Sequence, residues 1–369
     1  MISRRVRGVA RRFRQARMFV QSLRHAIRPV AAHLIATRRC NLTCAYCNEF
    51  DDHSRPVPTS DVLRRVDLLA NLGTGMVTFS GGEPLLHPDL DVIIRRVRAR
   101  RMIATLITNG YLLTRDRIRQ LNRAGLDHLQ ISIDNVIPDA VSKKSLKVLD
   151  RKLQWLAECA DFEVVINTVV GGGTRNPEDA LVIAQRARAL GFSTTVGIIH
   201  DHSGQLMRVD ERQRAIVEEI VGLGDAAFDY ANYNRFQRNL ANGRPNDWHC
   251  RAGARYLYVC EDGLVHWCSQ QRGQPGIPLE QYTRDDLHRE YHRDKSCAPF
   301  CTVGCVHRVA QVDELRRDPL RTLGEWFAPI PGRESGEMPI GVRALTWMFV
   351  TSRHRDAFRH AAQRVFGVR

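Results

Sequence analysis

The sequence predicts an α/β fold of six βα units in a row, forming a parallel sheet that is open or curled into an incomplete barrel. Two observations predict it. Between residues 32 and 200, apolar β-rich runs recur at roughly the 25–45-residue spacing of a βα unit. Amphipathic segments with helix punctuation fill the gaps between them. The 369-residue chain is 43% hydrophobic and 26% charged, long enough for a large core and more than one domain.

The strand candidates, in order, are AHLIAT (32–37), MVTFS (76–80), IATLIT (103–108), HLQISID (128–134), FEVVINTVV (162–170) and STTVGII (193–199). In the first gap, Thr59 or Ser60 can cap a helix with Val62, Val66 and Leu69 on one face, ending at Gly73. In the second, Asp89 precedes Leu90, Ile93, Ile94 and Val97. In the third, Thr114 precedes Ile118, Leu121 and Ala124, and Gly125 ends the helix. Asn176 and Pro177 are a cap followed by proline at the first helical position, with Gly191 at the far end. Such sheets bind ligands at the carboxyl ends of their strands.

After about residue 205 the pattern changes. A polar segment with helical character (209–240) leads into NGRPND (242–247), which reads as a linker. A cysteine-rich region follows, Cys250 to Cys305. Residues 306–339 carry turn signals at Pro329, Pro331, Gly332 and Gly336 and little periodicity. The expected organisation is a basic amphipathic helix (1–30), a core (31–205), a connecting helical segment (206–247), a cysteine-rich domain (248–310) and a basic helical tail (311–369).

No apolar run approaches the roughly 20 residues of a membrane span. The basic N-terminus is not followed by a secretory h-region, so a cytoplasmic protein is expected. Ten cysteines in a long chain without an export signal point to metal binding or catalysis rather than disulfides. The net charge of +15 sits at the ends: residues 1–28 hold nine arginines and no acid, and residues 340–369 hold six arginines and one acid, Asp356. A nucleic-acid enzyme spreads basic charge around its cleft, so nucleic acid is not an expected partner.

CNLTCAYC places Cys40, Cys44 and Cys47 at C-x3-C-x2-C directly after the first strand. Three thiolates can hold three irons of a [4Fe–4S] cube and leave the fourth iron open to an exogenous ligand. A zinc knuckle would want a fourth Cys or His nearby, for which His53 is the candidate. A closed ferredoxin-type cluster would want a fourth thiolate.

This loop, with an aromatic residue (Tyr46) before its last cysteine, resembles the signature of radical S-adenosylmethionine enzymes. The resemblance implies a partial (β/α)6 TIM-like barrel. It implies that the open iron binds the amino and carboxylate groups of S-adenosylmethionine. Reduction by a flavodoxin- or ferredoxin-type donor then gives a 5′-deoxyadenosyl radical that abstracts hydrogen from a substrate. SGGEP (80–84) ends the second strand; Gly81 and Gly82 allow close backbone approach, and Glu83 can accept from an ammonium. The resemblance makes Gly81, Gly82, Glu83 and Pro84 the motif that holds the methionyl amino group. Ser132 and Asp134 share a face at the end of the fourth strand, and by resemblance reach the ribose or the carboxylate. Thr108 and Asn109 end the third strand and Asn167 lies in the fifth; both asparagines are candidate cofactor contacts. VVGGG (169–173) and VGII (196–199) match the family's adenine motif only loosely, which leaves Tyr46 as the adenine contact. His200, Asp201 and His202 follow the sixth strand.

Downstream, Cys250 and Cys268 form C-x12-G-x4-C around Gly263, and YLYVCEDGLVHWC reads as a β-hairpin turning at Asp262-Gly263. Cys297, Cys301 and Cys305 follow, and Cys260 is a sixth cysteine. The pattern resembles the SPASM and Twitch extensions of the same family, although the run here is C-x3-C-x3-C and no cysteine follows Cys305. The resemblance implies at least one auxiliary [4Fe–4S] cluster, held by Cys250, Cys268 and Cys305 with a fourth ligand from Cys260, Cys297 or Cys301. A structural zinc site is the alternative. Cys159 reads as a core residue.

Ile2, Val6, Val9, Phe13, Ala16, Val20, Leu23 and Ile27 form one apolar helical stripe among arginines, and Pro29 ends the run. Such a helix reads as binding an anionic membrane surface, here at the inner face of the membrane, as a partner-binding helix, or as packing on the barrel with its arginines in solvent. Leu345, Trp347, Phe349, Phe358 and Val365 give the C-terminal segment similar character. The placement suggests a lipid or lipid-linked substrate. The competing expectations are a peptide-modifying maturase, a small-molecule or sugar dehydrogenase, and an iron–sulfur carrier that does not cleave S-adenosylmethionine.

Overall fold

The computed structural model describes residues 4–171, 176–199, 206–223 and 233–326, with isolated positions from 340 onward. All six expected strands form: β1 (Ala31–Thr37), β2 (Met76–Gly81), β3 (Ile103–Thr108), β4 (His128–Ser132), β5 (Glu163–Val170) and β6 (Ser193–Ile198). They pair in parallel in the order β6-β5-β4-β3-β2-β1, a partial (β/α)6 barrel that does not close on itself. Alternate residues face alternate sides. Ala32, Leu34, Val77, Phe79, Ala104, Leu106, Leu129 and Ile131 belong to the core packed under the surrounding helices. Their neighbours, among them His33, Thr78, Ser80, Thr105 and Ser132, therefore face inward. The interior is polar, and it opens at the carboxyl ends of the strands.

The helices are α2 (Thr59–Asn71), α3 (Leu90–Ala99), α4 (Arg115–Ala124), α5 (Leu146–Cys159), α6 (Glu178–Ala189), α7 (Glu211–Gly222) and α8 (Tyr233–Ala241). Thr114 caps α4 by accepting from the Arg117 amide, and Gly125 closes it in the left-handed region at φ 85°. The cap expected at Thr59 or Ser60 does not form: α2 starts at Thr59 after Pro58, and the Thr59 hydroxyl donates to Asp89 instead. Helix α6 likewise begins at Glu178 behind Pro177 without a side-chain cap.

The N-terminal helix α1 (Arg4–Arg24) docks on the barrel by its basic face rather than its apolar one. Three of its arginines point inward. Arg7 pairs with Asp161 at 2.5 Å, Arg11 with Glu163 at 3.1 Å and Arg14 with Asp127 at 2.6 Å, all at the amino ends of β4 and β5. Burial would raise the Glu163 carboxyl, but His128 and Arg11 overcome it and hold it at about 2. The barrel's lower rim is acidic, so the basic face of the helix is the one that docks. Val9 and Phe13 are left 69% and 71% exposed, whereas Leu23 is buried. Ile2 and Val6 of the stripe lie outside the described side chains.

The predicted hairpin is present as β7 (Tyr256–Val259) and β8 (Leu264–His266), turning through Gly263 at φ 85°, with β9 (Pro275–Pro278) beside β8. One feature was not anticipated: β7 pairs in parallel with β1 and so extends the barrel sheet to nine strands. Arg255, fully buried, ties this region to α1 by donating to the carbonyls of Ser22, His25 and Arg28 while pairing with Asp313 at 3.0 Å. The chain continues through α9 (Arg284–His292), α10 (Gly304–Arg317) and α11 (Pro319–Trp326). The low periodicity expected from residue 306 has a physical cause. Helix α10 buries Val306, His307, Val309, Gln311, Asp313 and Leu315, residues on most of its circumference, so no one-sided stripe appears. Most of the expected C-terminal tail lies outside the described residues.

Candidate functional site

A cavity of about 260 Å³ opens at the carboxyl ends of β1 to β4. The loop after β1 contributes Cys40, Cys44 and Cys47; β2 contributes Gly81 and Gly82; β3 contributes Thr108 and Asn109; β4 contributes Ser132. Residues expected together from the sequence thus meet on one wall. The two glycines are fixed by space. Gly81 has φ 107°, and a Cβ on Gly82 would lie 2.2 Å from the Arg38 carbonyl and 2.3 Å from that of Arg39. The glycine pair therefore lets β2 pack directly against the start of the cysteine loop.

Other candidates sit behind that wall. Glu83 is fully buried and does not line the cavity. Its carboxylate accepts from the Leu85 amide (3.0 Å), the Thr108 hydroxyl (2.7 Å) and the Asn109 amide (2.8 Å), which latches the end of β2 to the end of β3. Pro84 is buried in the following turn. Tyr46 is pinned by its hydroxyl to Asp134 at 2.5 Å and receives a hydrogen bond from Lys144. Asp134 also pairs with Lys144 at 3.1 Å. Asn167 faces the barrel interior, accepting from the Thr195 hydroxyl at 2.9 Å. His200, Asp201 and His202, and all but the first glycine of the 171–173 run, lie outside the described residues.

Lys144 is the residue that sequence reasoning missed most completely. It lines the cavity from the long loop after β4. Burial would lower its pKa, but Asp134 and Tyr46 hold it well above the usual lysine value, so it carries a full positive charge. Nothing in a polar loop singles out such a lysine. His33 did leave a signal, being a histidine inside an apolar strand. It is 7% exposed, bonds Ser80 through Nδ1 at 3.0 Å, and burial drives its pKa down to about 4, so the ring is neutral. Tyr256 and Tyr258 of β7 and Cys305 of α10 complete the wall on the hairpin side.

The three loop cysteines fit an iron–sulfur cluster. All are free thiols. Burial raises Cys40, and raises Cys47 to about 11, with no cation close enough to reverse the effect. Thiols held this way ionise only against a metal charge. A single zinc ion fits poorly, since its ligands must all lie about 2.3 Å from one centre. Among the described residues, only Cys260, Asp262 and His266 bring three ligand atoms within 4.8 Å of one another. In that trio His266 Nδ1 accepts from the Gly273 amide at 2.9 Å, so the neutral ring carries its proton on Nε2 and offers no lone pair to an ion.

A second cysteine group lies in the hairpin region. Cys250, Cys268, Cys297 and Cys301 are electrostatic neighbours: beyond burial, the other three raise Cys301, Cys250 and Cys297 raise Cys268, and Cys297 raises Cys250. Cys260 responds instead to Glu261 and Asp262, and Cys305 neighbours Glu49, Arg308 and Tyr256. Cys305, also expected among the ligands, packs in the same cluster as Cys250, Cys260, Cys268 and Cys301 and also lines the cavity. Cys301 precedes α10 and Cys305 falls within its first turn.

Residues 34–205 match the Radical SAM superfamily. The chain is 32% identical over 169 residues to a PqqA peptide cyclase of Granulibacter bethesdensis, covering 43% of this chain and 44% of that one. It is 33% identical over 152 residues to a GTP 3′,8-cyclase of Nautilia profundicola, covering 38% and 48%. The chain thus spans about half the length of these curated relatives. Among solved structures, SuiB of Streptococcus suis bound to its precursor peptide SuiA superposes with a TM-score of 0.53 at 15% identity, covering 79% of this chain and 74% of that one. At that identity the likeness is one of fold.

Proposed function

Residues 34–205 belong to the radical S-adenosylmethionine superfamily, and from that premise we propose that the chain performs radical chemistry on an organic substrate held between the cysteine loop and the hairpin. The observation that carries this reading is the meeting of Cys40, Cys44, Cys47, Gly81 and Gly82 in one cavity with Tyr256 and Tyr258 of the cysteine-rich region. When bound, a [4Fe–4S] cluster and S-adenosylmethionine supply a 5′-deoxyadenosyl radical, using an electron from a flavodoxin- or ferredoxin-type donor.

The chain's own residues hold and orient these groups. Cys40, Cys44 and Cys47 bind three irons. Asn109 donates to the Asn41 side chain at 2.8 Å and sits 3.7 Å from the Cys40 sulfur, steadying the loop. Gly82 donates its N–H to the Thr37 carbonyl at 3.1 Å, so the glycine pair serves by close packing against the cysteine loop. Lys144 keeps its charge at the wall and suits the cofactor carboxylate. Glu83 acts from behind, fixing where Thr108 and Asn109 stand. Cys250, Cys268, Cys297 and Cys301 would hold one auxiliary [4Fe–4S] cluster, which would supply a second electron-transfer centre. The test is release of 5′-deoxyadenosine by the anaerobically reconstituted, reduced protein. Its absence, or its persistence after Cys44→Ala, defeats the reading.

Helix α1 docks at the amino ends of the strands, at the other end of the barrel from the cavity. Its outward face carries Val9, Phe13 and Val20 beside exposed Arg12 and Arg24, an arrangement suited to an anionic lipid surface. No described helix is long and apolar enough to cross a membrane. Sedimentation with anionic vesicles that is lost in Phe13→Asp supports peripheral docking, and stimulation of turnover by a lipid extract supports a lipid-linked substrate. If only a peptide or small-molecule fraction stimulates turnover, the reading shifts to the chemistry named for the peptide and nucleotide cyclases above.

A further inference from the structure

We propose that the loops after β3 and β4, with the start of α5, form the docking surface of the one-electron donor, and that this donor is a small acidic redox protein. The inference rests on the radical reading above and adds where its electron enters. Both loops back directly onto the cysteine loop. Asn109 of the first sits 3.7 Å from the Cys40 sulfur, and the Ser142 hydroxyl of the second sits 3.7 Å from the Cys44 sulfur. The Ala45 amide also donates to the Val141 carbonyl at 2.9 Å, which joins the cysteine loop to the second loop by backbone. Within three residues each loop reaches solvent, at Leu112 and at Lys143. Electron transfer slows steeply with distance. A donor seated here is separated from two ligand sulfurs by little more than one layer of side chains.

The loops and the helix make one continuous surface. The Tyr111 hydroxyl donates to the Lys143 carbonyl, Lys152 Nζ donates to the Leu113 carbonyl at 3.1 Å, and the Lys147 amide donates to the Val136 carbonyl at 3.0 Å. These bonds set Leu112, Ile137 and Val148, which are 37%, 64% and 38% exposed, among exposed Lys143, Lys147 and Arg151. An apolar centre with a charged rim is the anatomy of a protein interface. The free charge is of one sign, because the neighbouring acids are occupied. Asp139 accepts from the Val141 and Ser142 amides at 2.8 Å each, Asp150 pairs with Arg186 at 2.6 Å, and Glu158 pairs with Arg115 at 2.6 Å. The first turn of α5 holds Lys147 and no acid, at the end where the helix dipole already adds positive charge. Such a field steers an acidic partner to the surface and speeds its encounter. In the step, one electron leaves the docked donor and enters the [4Fe–4S] group that Cys40, Cys44 and Cys47 hold. The donor is oxidised by one electron, the cluster is reduced by one, and no atom is transferred.

The test compares protein donors with a small one. Cluster-loaded protein receives S-adenosylmethionine and either limiting reduced flavodoxin, limiting reduced ferredoxin or excess titanium(III) citrate, and 5′-deoxyadenosine is measured. Lys143→Glu with Lys147→Glu is expected to slow the two protein-driven reactions about tenfold at low salt and less than about twofold at about 0.5 M salt. The titanium-driven rate and the iron content should stay at wild-type values. The Kd for oxidised flavodoxin, read by calorimetry, should weaken about tenfold. Ile137→Asp should raise the flavodoxin concentration for half-maximal rate about tenfold. Arg284→Glu with Arg317→Glu makes the same change of net charge at exposed positions of α9 and α10 and should alter none of these. Wild-type protein-driven rates in the Lys143 and Lys147 variant overturn the proposal. So does an equal fall in its titanium-driven rate, which would make the loops a support of the cluster, or an equal effect of the α9 and α10 pair. Wild-type protein that takes electrons from titanium and from neither protein donor also overturns it. No 5′-deoxyadenosine with any reductant would instead defeat the radical reading, and the flavodoxin Kd would then decide on the surface alone.

Discussion

Glu83→Gln separates a structural carboxylate from a cofactor ligand. Glu83 meets three donors: one oxygen takes the Leu85 amide and the Thr108 hydroxyl, and the other takes the Asn109 amide. A glutamine of the same shape serves the shared oxygen's two donors best with its own oxygen, which sets its NH2 against the Asn109 N–H. That loses one charge-assisted hydrogen bond and leaves two buried donors facing each other, about 2–3 kcal/mol. Burial also raises the Glu83 pKa, so part of what its bonds contribute is offset by desolvation; one bond, not three, sets the estimate. Glu83→Ala strips all three donors and opens a void, about 4–5 kcal/mol. The assay is urea unfolding of cluster-free protein without S-adenosylmethionine. With an m-value of about 3 kcal/mol per M, the glutamine variant should unfold about 1 M earlier. An unchanged midpoint, with only cofactor binding impaired, would refute the latch and return Glu83 to the ammonium role its motif suggests.

Three further outcomes follow from the same geometry. Reconstituted protein should hold about eight irons per chain; Cys297→Ala with Cys301→Ala should lose half of them and Cys260→Ala none, as read by iron analysis. Gly82→Ala should fail to assemble the first cluster, because its Cβ would have to displace the Arg38 and Arg39 carbonyls that begin the cysteine loop; wild-type iron content in this variant would contradict the packing described. Apo stability should fall with acid before carboxylates titrate. His33 and His307 are depressed by burial to about 4 and about 3, so the unfolded chain binds the extra protons. The stability they confer is whole above about pH 6.5 and is lost as pH falls toward 4, at up to about 2.7 kcal/mol per unit for the two together. Equal urea midpoints at pH 7 and pH 5 would show that these rings are not desolvated.

The barrel was legible because each strand obeys a period of two and each helix a period of 3.6. All six strand runs form within a residue or two of their expected bounds. The cysteine loop and the glycine pair were legible because few roles tolerate those residues at that spacing. What escaped depends on direction rather than residue type. The α1 stripe was visible, but which face would dock was decided by Asp127, Asp161 and Glu163, acids from distant strands. Glu83 stands in a motif that names its type and leaves open which way it points. Lys144 has no periodic marker. Cys301 and Cys305 recur at one spacing, and the start of α10 between them leaves no mark in the sequence.

The pairing of β7 with β1 has a consequence for how this protein is made. Residues Ala31 to Leu34 wait for Tyr256 to Val259, about 225 residues downstream. At synthesis rates of about 5–20 residues per second, that backbone row spends on the order of 10–45 s with open N–H and C=O groups. A nascent chain in that state is a template for pairing with another ribosome's product. It also means that a fragment cut near residue 205 or 247 is not a smaller enzyme but a chain with an unprotected strand, prone to aggregate before any cofactor is offered.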